Sequence, residues 1–217
     1  MEKQQIDLDK YERFIFDLDG TLLFGNYEEE RQYFMDVLKE KGESFLENLM
    51  SYLDKYEKTF SRYSPKVLST FLLINSNIYM PPEIIKGWID INCNMKDEIE
   101  PTAIETLEYL KSKNKSIAVL TNWFSKTQIS RLKNSNLLPY IDDVYGGDSY
   151  LKPNPESYLN ASMGFDINKC IMIGDNIEKD YLGPRKIGMH SILYDPKSKT
   201  PENYDVVKSL KKIIERY

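Results

Sequence analysis

Phe14-Ile15-Phe16-Asp17-Leu18-Asp19-Gly20-Thr21 is an apolar run that ends in two carboxylates, a glycine and a threonine. Along an extended strand the side chains alternate, so residues two apart share a face. Asp17 and Asp19 therefore point the same way, where the strand runs out. Two acids held so close repel, and one is readily protonated unless a cation joins them. Gly20 permits a tight turn and close approach of a ligand to the backbone, and Thr21 adds a hydroxyl beside it. Such a strand end suits metal-assisted phosphoryl chemistry, with one Asp as nucleophile and the other as proton carrier. An Asp-Gly pair can also close a hairpin. That needs an alternating strand directly after it, and Leu22-Leu23-Phe24-Gly25-Asn26 leads instead into a charged helical run, so no hairpin is expected.

Working outward, similar apolar runs recur downstream. Ser116-Ile117-Ala118-Val119-Leu120-Thr121-Asn122 ends in a hydroxyl and an amide, and Cys170-Ile171-Met172-Ile173-Gly174-Asp175 ends in a carboxylate, with Asp180 following. Lys152 lies in Leu151-Lys152-Pro153-Asn154-Pro155-Glu156, a proline-stiffened loop before a helix. From Pro101 onward the periodicity predicts helix 102–113, strand 116–121, helix 125–135, a short strand near 143–145, helix 155–163, strand 169–174, helix 178–187, strand 190–194 and a last helix near 210–214. Strands alternating with helices imply a parallel sheet covered on both faces. Residues 11–19 supply its first strand. In such sheets ligands bind beyond the carboxyl ends of the strands, so Asp17, Asp19, Thr121, Lys152 and Asp175 should converge on one crevice.

Between about Tyr27 and Asn94 the pattern is helical throughout. Stripes of Tyr33, Phe34, Val37 and Leu38, then Phe45, Leu49, Tyr52, Leu53 and Tyr56, are separated by Gly42, which reads as a helix terminator. Ser64-Pro65 and Pro81-Pro82 are good starts for two further helices. Four amphipathic helices suggest a small bundle, inserted between the first strand and the rest. The chain crosses into and out of it near 22–26 and 95–100, and both crossings read as short linkers suited to a hinge.

The four motifs, in this order and over residues 13 to about 194, resemble those of the haloacid dehalogenase-like hydrolase superfamily. The resemblance implies an α/β fold, a Rossmann-like core of residues 1–24 and 98–217, and a helical cap of residues 25–97. Asp-x-Asp-Gly-Thr is the phosphatase form of the first motif. Dehalogenase relatives lack the second Asp, since no leaving oxygen needs a proton. The implied activity is hydrolysis of small phosphomonoesters through an aspartyl-phosphate. In that scheme Asp17 is the nucleophile and Asp19 the acid and base. Gly20, Thr121, Asn122 and Lys152 bind phosphate. Mg²⁺ sits on Asp17, Asp175 and the main-chain carbonyl of Asp19, and Asp180 orients Lys152 or a metal-bound water. Oxygen ligands favour Mg²⁺ over zinc. A phosphoglucomutase-like transferase, or a non-catalytic binding protein keeping the fold, would share these motifs. Trp123 and Phe124, which follow the second motif where many relatives have a small residue, read equally as packing at the cap hinge or as an aromatic wall facing substrate.

The rest of the 217-residue chain bounds the context. A net charge of -5 gives no general attraction to nucleic acid. No apolar run approaches the ~20 residues needed to span a bilayer, and Met1 to Lys10 carries no apolar leader. Two cysteines, Cys93 and Cys170, suggest a reduced, cytoplasmic protein without disulfides. His190, the only histidine, is remote from every motif and reads as structural. A small phosphorylated metabolite is the expected partner. Sugar phosphates, nucleoside monophosphates and phosphoglycolate-like acids all stay open, and so does the oligomeric state.

Overall fold

A computed structural model describes residues 8–201 and 203–215. The start of the N-terminal stretch read above, residues 1–7, lies outside them. Six strands form one parallel sheet: β1 (Arg13–Phe16), β4 (Ser116–Leu120), β5 (Asp143–Tyr145), β6 (Cys170–Gly174), β7 (His190–Tyr194) and β8 (Val206–Val207). Their order is β5-β4-β1-β6-β7-β8. Strand β1 is central and every one of its residues is buried, as an apolar run flanked by two parallel neighbours requires. The period of two sorts the side chains. Phe14, Phe16, Ile117, Val119, Ile171 and Ile173 face α5 (Ala103–Ser112) and α9 (Lys211–Glu215). Ile15, Ala118, Leu120, Cys170 and Met172 pack on the opposite face with Tyr158 and Ala161 of α7 (Pro155–Ala161). Helix α6 (Ser125–Asn134) adds Leu132 to the first face. The charge buried at the start of β1 is compensated: Arg13 donates to Asp143 Oδ2 at 2.7 Å and to the Ala161 carbonyl at 2.7 Å, which ties β1 to β5 and α7.

The helical segment contains α1 (Glu28–Leu38), α2 (Gly42–Thr59), α3 (Pro65–Ser76) and α4 (Pro82–Asn92). Proline opens α3 and α4, and Asn77, left-handed at φ 55°, closes α3. The segment has its own apolar core, where Phe34 meets Phe45 at 5.0 Å and Trp88 at 4.9 Å between ring centroids. That core continues into Phe124 and Leu151 of the sheet domain. Main-chain hydrogen bonds add to the contact, from Tyr63 N to the Gly147 carbonyl (2.7 Å) and from Leu151 N to the Ser61 carbonyl (2.8 Å).

Four sequence expectations are corrected. The two crossings form an antiparallel ribbon of β2 (Leu23–Gly25) and β3 (Asp97–Ile99), with Leu23 opposite Ile99. Strands this short, one of them Asp-Glu-Ile, carry no periodicity, and their pairing spans the whole insertion. Gly42 does not end a helix. Lys39, at φ 53°, closes α1, and Gly42 opens α2 with ordinary helical angles. Its missing side chain allows close approach, since a Cβ there would lie 2.9 Å from Met35 Sδ and 3.1 Å from the Phe34 carbonyl. The helix expected at 178–187 is a π-helical turn, Ile177–Leu182, followed by the single turn α8 (Gly183–Arg185). Finally, β8 pairs beside β7, in a stretch whose periodicity predicts no strand.

Candidate active site

Asp17 follows β1 directly, and its N–H donates to the Ile173 carbonyl at 2.8 Å, so the neighbouring strand β6 fixes its position. Its side chain is 9% exposed, and Lys152 Nζ donates to its Oδ1 at 2.6 Å. The same ammonium donates to Asp180 Oδ1 at 2.6 Å. Asp180 in turn accepts from the Asn176 N–H at 3.0 Å through Oδ2. The π-helical turn makes this reach available: its extra width turns Asp180 back under Gly174, where any Cβ would collide with the Asp180 carboxyl group. Lys152 is held by its backbone. Its N–H donates to Asn122 Oδ1 (2.7 Å) and its carbonyl accepts from Asn122 Nδ2 (2.9 Å). The Asn122 side chain, expected on phosphate, is thus engaged with the Lys152 main chain and with Glu57 (3.0 Å).

The carboxylates of Asp17, Asp175 and Asp180 offer oxygens within 4.8 Å of one another. Burial pushes the Asp17 carboxyl well above the usual carboxylate range; Lys152 opposes this, and the nearby Asp180 and Asp175 charges add to it. Burial, with Asp180 beside it, pushes Asp175 up to about 6. Lys152 itself is raised, because the attraction of Asp17 and Asp180 outweighs the cost of burying its charge. One ammonium does not balance three acids. An all-oxygen donor set with surplus negative charge fits a hard divalent cation. Gly20 makes room for the Asp175 carboxylate: at φ +82°, a Cβ there would lie 2.6 Å from Asp175 Oδ2.

Asp19 points elsewhere. Gln128 Nε2 donates to its Oδ2 at 2.8 Å, and Arg131 Nη1 lies 2.6 Å from its Oδ1. Both partners belong to α6. Arg131, with a side chain only 3% exposed, also forms a two-pronged ion pair with Asp97 of β3 (2.6 and 3.0 Å). Gln128 Nε2 further donates to Thr121 Oγ1 at 2.9 Å. That hydroxyl accepts here, so its own proton is left to donate into the crevice. Gln128, Arg131 and Asp97 lie outside the four motifs. A signal existed: Thr127, Gln128 and Arg131 are polar yet lie on the stripe of α6 that its period turns inward.

A cavity of about 720 Å³ separates these groups from the helical segment. Asp17, Asp19, Thr121, Lys152 and Asp175 form its floor, and Leu46, Leu49, Leu53 and Trp88 its opposite wall. Trp123 lines the cavity while packing 4.6 Å from Trp88 and 5.2 Å from Tyr63 between ring centroids, so it packs and faces the cavity at once. Phe124 is buried and packs against Tyr63. His190 is remote from the cavity and stacks on Tyr11, which hydrogen-bonds to its Nδ1.

The family described as haloacid dehalogenase-like hydrolase matches residues 11–188. The ribulose-1,5-bisphosphate 5-phosphatase of Halopiger xanaduensis is 30% identical over 100 residues, 44% of this chain and 42% of that protein. The glyceraldehyde 3-phosphate phosphatase of Methanocaldococcus jannaschii is 22% identical over 171 residues, 77% of this chain and 68% of its own length. Among solved structures, the HAD-hydrolase YfnB from Bacillus subtilis, bound to magnesium, superposes with a TM-score of 0.72 at 18% identity, covering 94% of this chain and 97% of that one. The L-2-haloacid dehalogenase from Xanthobacter autotrophicus superposes with 0.70 at 15% identity, covering 94% and 97%. At such identities the structural likeness is one of fold. The match over residues 11–188, with the strand-end acids gathered round Lys152 as described, shows that this chain belongs to the haloacid dehalogenase-like hydrolase family.

Proposed function

We propose that this protein is a Mg²⁺-dependent hydrolase of small phosphomonoesters that works through an aspartyl-phosphate on Asp17. The observation that carries the reading is the pair of carboxyls two residues apart with different surroundings. Asp17 is held by Lys152 beside Asp175, and Asp19 is held by Gln128 and Arg131. A nucleophile and a separate proton carrier need such a division. An Asp17 oxygen attacks phosphorus and the bond to the alcohol oxygen breaks. Asp19 supplies the proton that the leaving oxygen needs. Asp19 then takes a proton from a water whose oxygen attacks the aspartyl-phosphate, releasing Asp17 and inorganic phosphate. Lys152 keeps Asp17 oriented and offsets charge on the transferring group. Thr121, whose oxygen already accepts from Gln128, donates to a phosphoryl oxygen. Asp17, Asp175 and the Asp19 carbonyl would hold the Mg²⁺, which when bound offsets the charge of an incoming phosphate. Two like charges ~4 Å apart repel by ~4 kcal/mol at an effective dielectric of ~20, so that offset governs entry. Free thiols at Cys93 and Cys170 suit the cytoplasmic setting included in this reading.

The test is phosphate release from a panel of phosphorylated metabolites, by the wild type and by Asp17→Asn, with Mg²⁺ and with excess EDTA. Turnover should need Mg²⁺ and should fall to background in Asp17→Asn while circular dichroism stays native. Turnover retained by that variant would overturn the nucleophile assignment.

A further inference from the structure

The wall that would receive the leaving alcohol has an unusual balance of charge. Among the described residues, the cations lining the cavity are Arg31, Arg131, Lys152 and Lys179. Each is already ion-paired: Arg31 with Glu43 (2.6 Å), Arg131 with Asp19 and Asp97, Lys152 with Asp17 and Asp180, and Lys179 with Glu57 (2.5 Å). Beyond Asp17 and Asp19, the polar groups facing the space include the carboxylates Glu30 and Glu57. Glu30 Oε2 accepts from Trp88 Nε1 and Asn92 Nδ2, and among the described residues it forms no ion pair, the Arg131 charge acting on it without a salt bridge. A carboxylate or second phosphate on the substrate would have to break an ion pair or sit against these acids. Arg131 and Lys152 are buried, and removing one partner of a buried ion pair strands the other charge, at a cost the entering anion would have to meet; Arg31 and Glu43 are exposed, and parting them costs little.

Much of the wall opposite the acids is apolar. Leu46, Leu49 and Leu53 recur on one stripe of α2 and meet Trp88 and Trp123 across the space. The cavity, at about 720 Å³, falls within the range of sites that hold drug-sized molecules, roughly 300–1,000 Å³. A two- or three-carbon acid would leave this wall in water.

Resting on the phosphatase reading above, we propose that the preferred substrate is the phosphate monoester of an uncharged alcohol with a sizeable apolar body, and that sugar bisphosphates and phosphorylated short-chain acids are rejected. Discrimination comes from two sources acting together. Apolar groups gain contact with α2 and the tryptophans, and a second anion meets, among the described residues, cations already ion-paired and the carboxylate of Glu30.

The experiment uses the full chain with Mg²⁺ and two matched ligand series. The first measures kcat/KM for ethyl, butyl, hexyl and octyl phosphate and for the ω-carboxylate of each longer member. The second measures Kd for the corresponding alkylphosphonates and their ω-carboxylates by calorimetry, which needs no turnover. The expected result is a rise in kcat/KM along the alkyl series, of about tenfold for the first methylenes to be buried, with each ω-carboxylate weaker than its neutral partner by at least that factor in both measurements. Turnover with a flat chain-length profile, or with ω-carboxylates equal to or better than the neutral esters, would overturn the proposal and leave the phosphatase reading standing. Phosphonates ranked as expected without any ester turnover would support the proposed cavity selectivity and overturn the phosphatase reading. Neither turnover nor phosphonate binding would overturn both.

Discussion

Asp19 is where a single side chain has most to explain. A carboxyl that must meet a leaving oxygen is held here by a guanidinium and an amide from α6. Arg131 shares its charge between Asp19 and Asp97, a residue on the strand that returns from the helical segment. The position of Asp19 is therefore tied to the ribbon on which that segment hangs. Removing the arginine altogether would leave Asp97 buried and unpaired, a loss of ~3–5 kcal/mol, so Arg131→Lys is the informative variant. A lysine keeps one charge but cannot hold both carboxylates at once. In single-turnover measurements, Arg131→Lys should slow phosphoryl transfer from alkyl phosphates on the order of tenfold. That is a fraction of the ~10²–10⁴ a positioned acid supplies. Transfer from dinitrophenyl phosphate, whose leaving group needs no proton, should barely change. An equal loss on both esters would mean that Arg131 serves structure and does not position Asp19.

At the scale of elements, a π-helical turn and a glycine at a helix junction decide local geometry. The turn at Ile177–Leu182 sets Asp180 beneath Lys152, and Tyr158 on α7 braces it by donating to the Lys179 carbonyl at 2.5 Å. At the junction of α1 and α2, Gly42 lets the second helix start against the end of the first. Gly42→Ala should destabilise the fold by about 1–3 kcal/mol through overpacking, because the new methyl would meet the Phe34 carbonyl and the Met35 backbone, which cannot rotate away. The opposing gain from replacing a helical glycine is ~1 kcal/mol at most. Urea denaturation would read the difference as a lowered midpoint at unchanged m-value. A raised midpoint would show that the junction has slack that the geometry denies.

For the whole molecule, the question is how the helical segment and the sheet domain work together. The ribbon β2–β3 gives the two crossings a shared, hydrogen-bonded track, and closing motion about such element ends is a common way to exclude water. The segment also covers apolar surface of the sheet domain at Trp123, Phe124 and Leu151. Replacing residues 27–94 with a short Gly/Ser linker should thus have two effects: a loss of discrimination between metabolites and a generic aryl phosphate, and increased binding of a hydrophobic dye. The acid cluster, carried by β1, β6 and the turn after β6, should survive. A folded shortened protein that keeps the full-length ratio of kcat/KM values would show that residues 27–94 do not set specificity. Much of this was legible beforehand. The strand-end acids at 17, 19 and 175, the parallel sheet and the four helices follow from local periodicity and from side-chain chemistry at strand ends, which neighbouring residues suffice to express. The ribbon, the inward turn of Asp180 and the Gln128–Arg131 hold on Asp19 did not follow. Each depends on groups distant along the chain, and their partners are chosen by which charges burial leaves uncompensated. The chemistry that the strand ends present is thus written in the residues next to them. Which carboxylate each cation satisfies is set by folding, because pairing energies depend on distance and desolvation, and those exist only once the chain has folded.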